Sequence, residues 1–189
     1  IVAYDKVISK EKLTKKAQSR EVTETWLTFD DRKTAGIPGF FPAVLDLPVR
    51  FTCEPRPGDR LKGVFTNARG WLRGWELTFD EEERISKLRD EELALRERPV
   101  ALYIEMANPH PDLEIIDGRA IYVLRALWKP WFKDGDARQV QINRCGFPLA
   151  PDCGGTAHAY CGFSLDACIG DLLDWWDKPT RETSVRGYI

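Results

Sequence analysis

The sequence lacks the features that mark several classes of protein. No apolar run approaches the roughly 18 residues that a transmembrane helix needs, and no signal peptide opens the chain. The dipeptide Gly-Lys occurs nowhere, so the phosphate loop G-x-x-x-x-G-K-[ST] is missing. The five cysteines include no C-x-x-C pair. We therefore expect an intracellular protein with no membrane partner, and a chain that does not hydrolyse a nucleotide by itself.

A strong charge of one sign is also lacking. The 189 residues carry 28 lysines and arginines against 30 aspartates and glutamates, which gives a formal net charge of −2. The chain therefore has no global basic field, and any contact with nucleic acid depends on a local patch. Hydrophobic residues make up 43% of the sequence, enough for one core or for one core with a small appended module.

Four cysteines and one of the two histidines lie near the C-terminal end. Cys145, Cys153, Cys161 and Cys168 follow one another at spacings of eight, eight and seven, whereas zinc ligands usually come in close pairs. His158 stands three residues before Cys161, but nothing else in the sequence supplies the orienting residue and oxyanion hole of a thiol hydrolase. We therefore predict reduced, mostly buried thiols, with no metal site and no catalytic residue.

The hydrophobic pattern predicts helices and strands in the first half of the chain. Weak helical periodicity among many lysines predicts one solvated helix over residues 4–26. A strand is predicted over Leu47–Cys53, and a strand-turn-strand unit around Asn67–Gly70. Acids in a first turn and a following Pro99 predict a helix near residues 80–97.

The second half is predicted to be richer in strands. Candidates are Val100–Met106, Ala120–Trp128 and Arg138–Asn143, and strands at this spacing suggest a small barrel or a strongly bent sheet. After Pro151 the apolar residues lose strict alternation, as in the buried strand of an α/β layer. The last forty or so residues are therefore predicted to belong to a different layer from the barrel.

Tryptophans beside arginines indicate a local contact surface for nucleic acid. Trp71 and Trp75 are flanked by Arg69 and Arg73, so exposed indoles there could stack on bases while the cations neutralise phosphates. Core packing is the simpler interpretation of most other tryptophans. We therefore select Arg69, Trp71 and Arg73 as candidate nucleic-acid-binding residues.

The C-terminal part resembles a known family. The run "FPLAPDCGGTAHAYCGFSLDACIGDL" resembles a motif near the C-terminus of superfamily 1 DNA helicases of the Pif and Helitron branch, P-L-x-x-A-x-x-x-T-x-H-x-x-Q-G-x-[ST]-L-D followed by an apolar strand ending in D-L. The matching positions are Pro148, Leu149, Thr156, His158, Gly162, Ser164, Leu165, Asp166, Asp171 and Leu172. Earlier segments agree in order, so the resemblance covers residues 37–189 and is strongest over 120–189.

The resemblance implies a place within a helicase motor. Thr156 and His158 would contact single-stranded DNA, and a turn at Cys161 and Gly162 would couple that contact to the nucleotide cleft. The parent protein would be an ATP-dependent DNA helicase, and its ATP and magnesium would bind outside this chain, which itself holds no cofactor. The partners of the chain would be single-stranded DNA and the remainder of the helicase. Because the sequence begins with Ile1 rather than Met, we expect a piece of a longer protein.

The fold class expected on this basis is α+β. A small antiparallel β-barrel, similar to Src-homology-3 domains and with helical insertions, would precede a partial α/β segment of RecA type. The expected divisions are a helical or linker segment over 1–44, the accessory barrel over 45–145 with an inserted helix near 80–97, and the RecA-like segment over 146–189.

Departures from the family motif leave an alternative open. Cys161 stands where the family has glutamine, and a thiol, which donates and accepts hydrogen bonds only weakly, cannot replace an amide that does both. The magnesium-binding Asp-Glu pair and the arginine finger of the family are missing from the chain. The alternative is a degenerate, helicase-derived β-barrel module that acts structurally or binds another protein.

Overall fold

A computed structural model describes residues 1–8, 24–87, 95, 97–132 and 141–152. The chain divides into two compact units, Ile1–Asp152 and Cys153–Ile189. All described residues lie in the first unit, so Thr156, His158, Cys161 and Gly162 lie outside the described residues, as does the predicted RecA-like segment after residue 152. The predicted boundaries at residues 44 and 145 stay predictions.

Within the described ranges, no helix has the length and apolar character needed to cross a membrane.

Short antiparallel strands dominate the described residues. The strands are β1 (Tyr4–Val7), β2 (Pro48–Phe51), β3 (Arg69–Glu76), β4 (Ala101–Met106), β5 (Glu114–Ile116), β6 (Arg119–Arg125), β7 (Leu127–Phe132), β8 (Gln141–Gly146) and β9 (Leu149–Pro151). Helix α1 spans Phe79–Ser86, and Asp31–Lys33 and Asp59–Lys62 form 3-10 turns.

The strands form two sheets. One has the order β5-β6-β4-β3-β2-β9, the other the order β1-β8-β7, and every pairing is antiparallel. Neither sheet closes on itself within the described part of the chain, so the predicted Src-homology-3-like barrel is not confirmed. The coarser expectation, a mixed fold of mainly antiparallel sheet with few helices, is confirmed.

The main core lies on one face of the six-stranded sheet. Alternation along the strands turns one set of side chains inward, and each is essentially fully buried: Val49, Phe51, Leu72, Leu102, Ile104, Leu124 and Leu149. Burying a side chain of this size contributes about 1.5–3 kcal/mol relative to leaving it in water. If the pairing of a strand shifted by one residue, its buried side chains would turn toward solvent. The burial of these side chains therefore fixes the strand register.

Strand β3 approaches β4 closely and carries a bulge. A Cβ atom at Gly70 would lie 2.3 Å from the carbonyl oxygen of Glu105, so the close approach requires glycine there. Leu72 pairs with Ile104 while Gly74 pairs with Tyr103, which leaves one residue of β3, Arg73, without an opposite residue. The bulge shifts the alternation of the residues that follow it.

A buried ion pair holds β1 against β8. The Arg144 side chain is fully buried, and its Nε and Nη2 atoms donate to the Asp5 carboxylate at 2.8 and 2.7 Å. Nη2 also donates to the carbonyl of Trp26 at 2.7 Å, and the guanidinium lies 5.4 Å from the Trp131 ring. Trp26, Trp131 and Ile142 form a second small core around this pair.

The predicted strands over Leu47–Cys53 and Val100–Met106 are confirmed by β2 and β4. The start of the predicted helix near 80–97 is confirmed by α1, which ends at Ser86; residues 88–94 and 96 lie outside the described ranges, and residues 95 and 97 are not helical. The predicted strand over Ala120–Trp128 instead breaks at Ala126, where the chain passes from β6 in one sheet to β7 in the other.

Two local predictions are wrong. Residues 4–7 form strand β1 rather than helix, because they pair with β8 far along the chain, and such pairing overrides a weak local helical pattern. The first strand of the unit around Asn67–Gly70 is a 3-10 turn instead, bounded by Gly58 and Gly63 with positive φ. Residues 9–23 of the predicted helix lie outside the described residues, and residues 24–26 are helical, as predicted.

Candidate functional site

The three candidate residues of the described part, Arg69, Trp71 and Arg73, all lie on β3. Arg69 and Trp71 alternate with Gly70 and Leu72, which are buried, so these two candidates lie on the face opposite the core. Trp71 is 38% exposed. This outer face of the six-stranded sheet, defined by Arg69, Trp71 and Arg73, is the candidate contact face.

Trp71 and Arg73 form a cation–π pair. The guanidinium carbon of Arg73 lies 5.7 Å from the centre of the Trp71 ring. Such a pair contributes about 0.5–1 kcal/mol at an exposed site. Arg73 follows Trp71 by two positions in β3, so strand alternation places both side chains on the same face.

Carboxylates already hold both arginines of the candidate contact face. Arg73 donates through Nε to Glu105 at 2.5 Å and through Nη1 to Asp46. The Nε atom of Arg69 lies 2.9 Å from the Asp152 carboxylate. The hydrogen bond to Glu105, with that to Asp46, raises the pKa of Arg73, so the guanidinium stays charged at every practical pH. A phosphate group would therefore have to compete with carboxylates for these cations.

Charges alternate over the surrounding surface. Arg50 lies opposite Arg69 in the sheet, with its Nε atom 4.0 Å from the Asp152 carboxylate, and Arg119 lies 3.9 Å from Glu105. The buried Nε of Arg50 has no hydrogen-bond partner among the described residues. The set holds four arginines and three carboxylates: Arg50, Arg69, Arg73 and Arg119 against Asp46, Glu105 and Asp152. The face is therefore nearly neutral, with a small basic excess.

A depression of about 430 Å³ borders Arg73. Its walls combine cations, an acid and apolar groups, namely Arg73, Tyr103, Ile116, Asp117, Arg119 and Ile121. Desolvation raises the pKa of the Tyr103 hydroxyl, which therefore remains a neutral hydrogen-bond donor at neutral pH. A planar ring with polar edges would find both an apolar wall and hydrogen-bonding groups here.

Trp71 and Trp75 differ in exposure in the structure, although the sequence predicts exposure for both. Trp71 is exposed, but Trp75 lies after the bulge, pairs with Leu102 and packs against the main core. Sequence reasoning also missed the carboxylates that hold the arginines. Alternation in β4 marks Glu105 as outward-facing, but only the strand register places it beside Arg73.

The described ranges show no group of residues suited to a metal site or to a thiol hydrolase. No group of three or more histidine, cysteine, aspartate or glutamate residues there could hold a metal ion. Of the five cysteines, Cys53 and Cys145 are described; both are free thiols, and burial raises the pKa of Cys145. The candidate residues Thr156 and His158, with the turn at Cys161, lie outside the described ranges.

Comparison with known proteins yields one structural similarity. No protein-family model matches the sequence, and no curated protein matches it. The crystal structure of Pif1 helicase from Candida albicans aligns with 86% of this chain at 13% identity and a TM-score of 0.42. The aligned part covers 30% of that helicase chain, so this chain spans less than a third of its length. Similarity at this level does not assign the chain to a family.

Proposed function

We propose that the chain is part of a DNA helicase of the Pif and Helitron branch and that its candidate contact face binds single-stranded DNA. The family assignment is supported by the ordered resemblance over residues 37–189, with Thr156 and His158 at motif positions. ATP and magnesium would act on residues outside this chain. The activity of the whole helicase is part of the same proposal.

The observation that carries the strand-binding role is the exposed indole of Trp71 beside the Arg73 guanidinium. An aromatic ring of this kind offers a stacking surface for any base, which contributes about 1–3 kcal/mol per base. Arg73 can supply positive charge to the neighbouring phosphate. The depression beside Arg73 adds a second place for a ring.

The ion pairs predict how such binding behaves. The Asp46 side chain is 73% exposed, so it can turn into solvent and release Nη1 of Arg73 to a phosphate oxygen. When a phosphate replaces the Asp46 carboxylate beside the Arg73 guanidinium, the net gain in Coulomb energy is small. Binding should therefore be weak, carried mainly by stacking, and moderately sensitive to salt.

Thr156 and His158 are proposed as further strand contacts, with Cys161 and Gly162 as the coupling turn. The basis is the sequence motif alone. A hydroxyl and an imidazole supply hydrogen bonds to phosphate or base edges, and glycine permits a tight turn. Because the thiol of Cys161 replaces an amide, coupling in the parent protein should be weaker than in family members that retain glutamine.

The test measures binding of a fluorescent oligothymidine to the full chain at several salt concentrations. Trp71→Ala should weaken binding roughly ten-fold or more, because one stacking contact is lost. Trp128→Ala is the matched control, since Trp128 is also exposed but lies on β7 of the other sheet. The double variant Thr156→Ala/His158→Ala should also weaken binding while its melting temperature changes little.

Equal affinities for Trp71→Ala, Trp128→Ala and the unaltered chain would show that the candidate contact face does not bind the strand. A large loss of stability with unchanged binding in the double variant would place Thr156 and His158 in a core. If the unaltered chain shows no salt-sensitive binding, the strand-binding role fails altogether.

A protein-interaction or structural module is the second candidate function. It is favoured by the carboxylates that already hold Arg69 and Arg73 and by large apolar side chains in solvent. Leu61 is 79% exposed and Phe79 78% exposed. Absence of oligothymidine binding together with a normally folded chain would support this alternative.

A further inference from the structure

A thiol and an amine from different sheets are in contact. Cys53 lies two residues after β2 of the six-stranded sheet, and Lys129 lies in β7 of the three-stranded sheet. The Lys129 Nζ atom is 3.0 Å from the Cys53 Sγ atom, although the two residues are 76 positions apart in the sequence. A thiol sulfur and an amine nitrogen are both nucleophiles, and here the two atoms are in direct contact.

The surroundings of Lys129 contain no carboxylate that explains its position. Its Nζ atom donates to the carbonyl oxygen of Glu54 at 3.0 Å, and its other acceptor is the Cys53 sulfur. Within the described ranges, Lys129 forms no ion pair, although its side chain is partly buried. Among the described residues, the hydrogen-bond partners of the Lys129 amine are therefore one backbone carbonyl and the Cys53 thiol.

Cys53 is partly exposed and packs closely against the backbone. Partial exposure of the residue is what oxidation by a small molecule from solvent requires. A Cβ atom at Gly36 would lie 2.9 Å from the Cys53 Cβ and 3.0 Å from its Sγ, so the thiol packs directly on bare backbone. Cys145, in contrast, is 5% exposed and serves as an internal comparison. The Cys53 sulfur therefore lies between the backbone at Gly36 and the Lys129 amine.

We propose that Cys53 and Lys129 form a reversible covalent cross-link when the protein meets a peroxide. In the first step the Cys53 thiol is oxidised to a sulfenic acid while hydrogen peroxide is reduced to water. In the second step the Lys129 nitrogen attacks the Cys53 sulfur, an S–N bond forms, and the S–O bond breaks. The oxygen leaves as a second water, and the proton lost from the ammonium passes to solvent. The product is a sulfenamide, which an added thiol reduces back to thiol and amine.

The cross-link would join the two sheets. It closes a chain loop between residues 53 and 129, so it reduces the conformational freedom of the unfolded chain as a disulfide does. The oxidised protein should therefore melt several degrees higher than the reduced protein. The inference does not depend on nucleic-acid binding.

The test treats the full chain with dilute hydrogen peroxide and maps its peptides by mass spectrometry. We expect the Cys53 and Lys129 peptides to appear as one linked species that has lost two hydrogens, and dithiothreitol should restore both. Lys129→Arg keeps the cation but should abolish the link and leave Cys53 as a sulfenic acid or its further oxidation products. Cys145 should remain a thiol under the same treatment.

Two results would overturn the inference. One is a Cys53 that remains a thiol, or joins another cysteine, while the Lys129 peptide stays free. The other is equal oxidation products in the unaltered chain and in Lys129→Arg. Both readouts are independent of oligothymidine binding, so a failure here is distinct from a failure of the proposed function.

Discussion

At the scale of single residues, Arg144 is a charged residue whose side chain is fully buried. Its charge is removed from water and compensated by the Asp5 carboxylate and two backbone carbonyls. Removing one partner of a buried pair leaves an uncompensated charge, whereas replacing both with apolar groups can be nearly neutral. The contribution of the pair is therefore best measured with single and double variants.

Arg144→Met should lower the free energy of unfolding by about 3–5 kcal/mol, because Asp5 then lies buried without a cation. The double variant Asp5→Leu/Arg144→Met should lose much less. Urea unfolding followed by tryptophan fluorescence measures both, since Trp131 lies beside the pair. A double variant as unstable as the single one would show that the pair also fixes the position of β1.

Residue identity predicted only part of this detail. The flanking arginines predict that Trp71 and Trp75 are both exposed; this is confirmed for Trp71 and wrong for Trp75, which packs against the main core. Arg144 could not be recognised as buried, because arginine is usually solvated and its partner Asp5 lies 139 positions away. The same holds for the carboxylates that hold Arg69 and Arg73: sequence shows their chemical type, but strand register decides which charges meet.

At the scale of secondary structure, the bulge in β3 is the feature with the largest effect on the candidate contact face. It leaves Arg73 as the extra residue of the strand and turns Trp75 toward the core. Periodicity predicted where β2 and β4 lie but could not predict a bulge, because one extra residue leaves the local pattern of apolar and polar residues almost unchanged. The exposures of Trp71 and Trp75 differ for this reason.

Deletion of Arg73 should be tolerated better than deletion of its neighbour Leu72. Without Arg73, β3 can continue its pairing with β4 unbroken, and the cost should be on the order of the two surface ion pairs, about 0–1 kcal/mol each. Deletion of Leu72 removes a fully buried side chain and should cost about 2–5 kcal/mol. Thermal unfolding of both variants checks this, and equal losses would argue against the assigned register.

At the scale of the whole molecule, two buried groups of the described residues, Tyr122 and Cys145, contribute to a loss of stability at alkaline pH. Burial and a hydrogen bond to Asp59 at 2.5 Å raise the pKa of Tyr122 above its ordinary value of 10.0. Burial also raises the pKa of Cys145 above 9.0. In both cases the folded state retains its proton more strongly than the unfolded state, so stability is fully present below pH 9 and falls as the pH rises further.

Tyr122→Phe should flatten this fall above pH 10. At neutral pH the variant should lose about 1–2 kcal/mol, because Asp59 loses a buried hydrogen bond. Urea unfolding between pH 7 and pH 11 measures both effects. An unchanged slope above pH 10 in the variant would show that Tyr122 does not cause the alkaline loss.

The pairing of early strands with late ones has a consequence for biosynthesis. Tyr4 in β1 lies opposite Cys145 in β8, and Phe51 in β2 lies opposite Leu149 in β9. Neither sheet can be completed until the ribosome has released the chain almost to Pro151. Such distant pairings slow folding, and unpaired strand edges are prone to association while they wait. The nascent chain therefore exposes unpaired strand edges for longer than a fold of the same size with local pairings does.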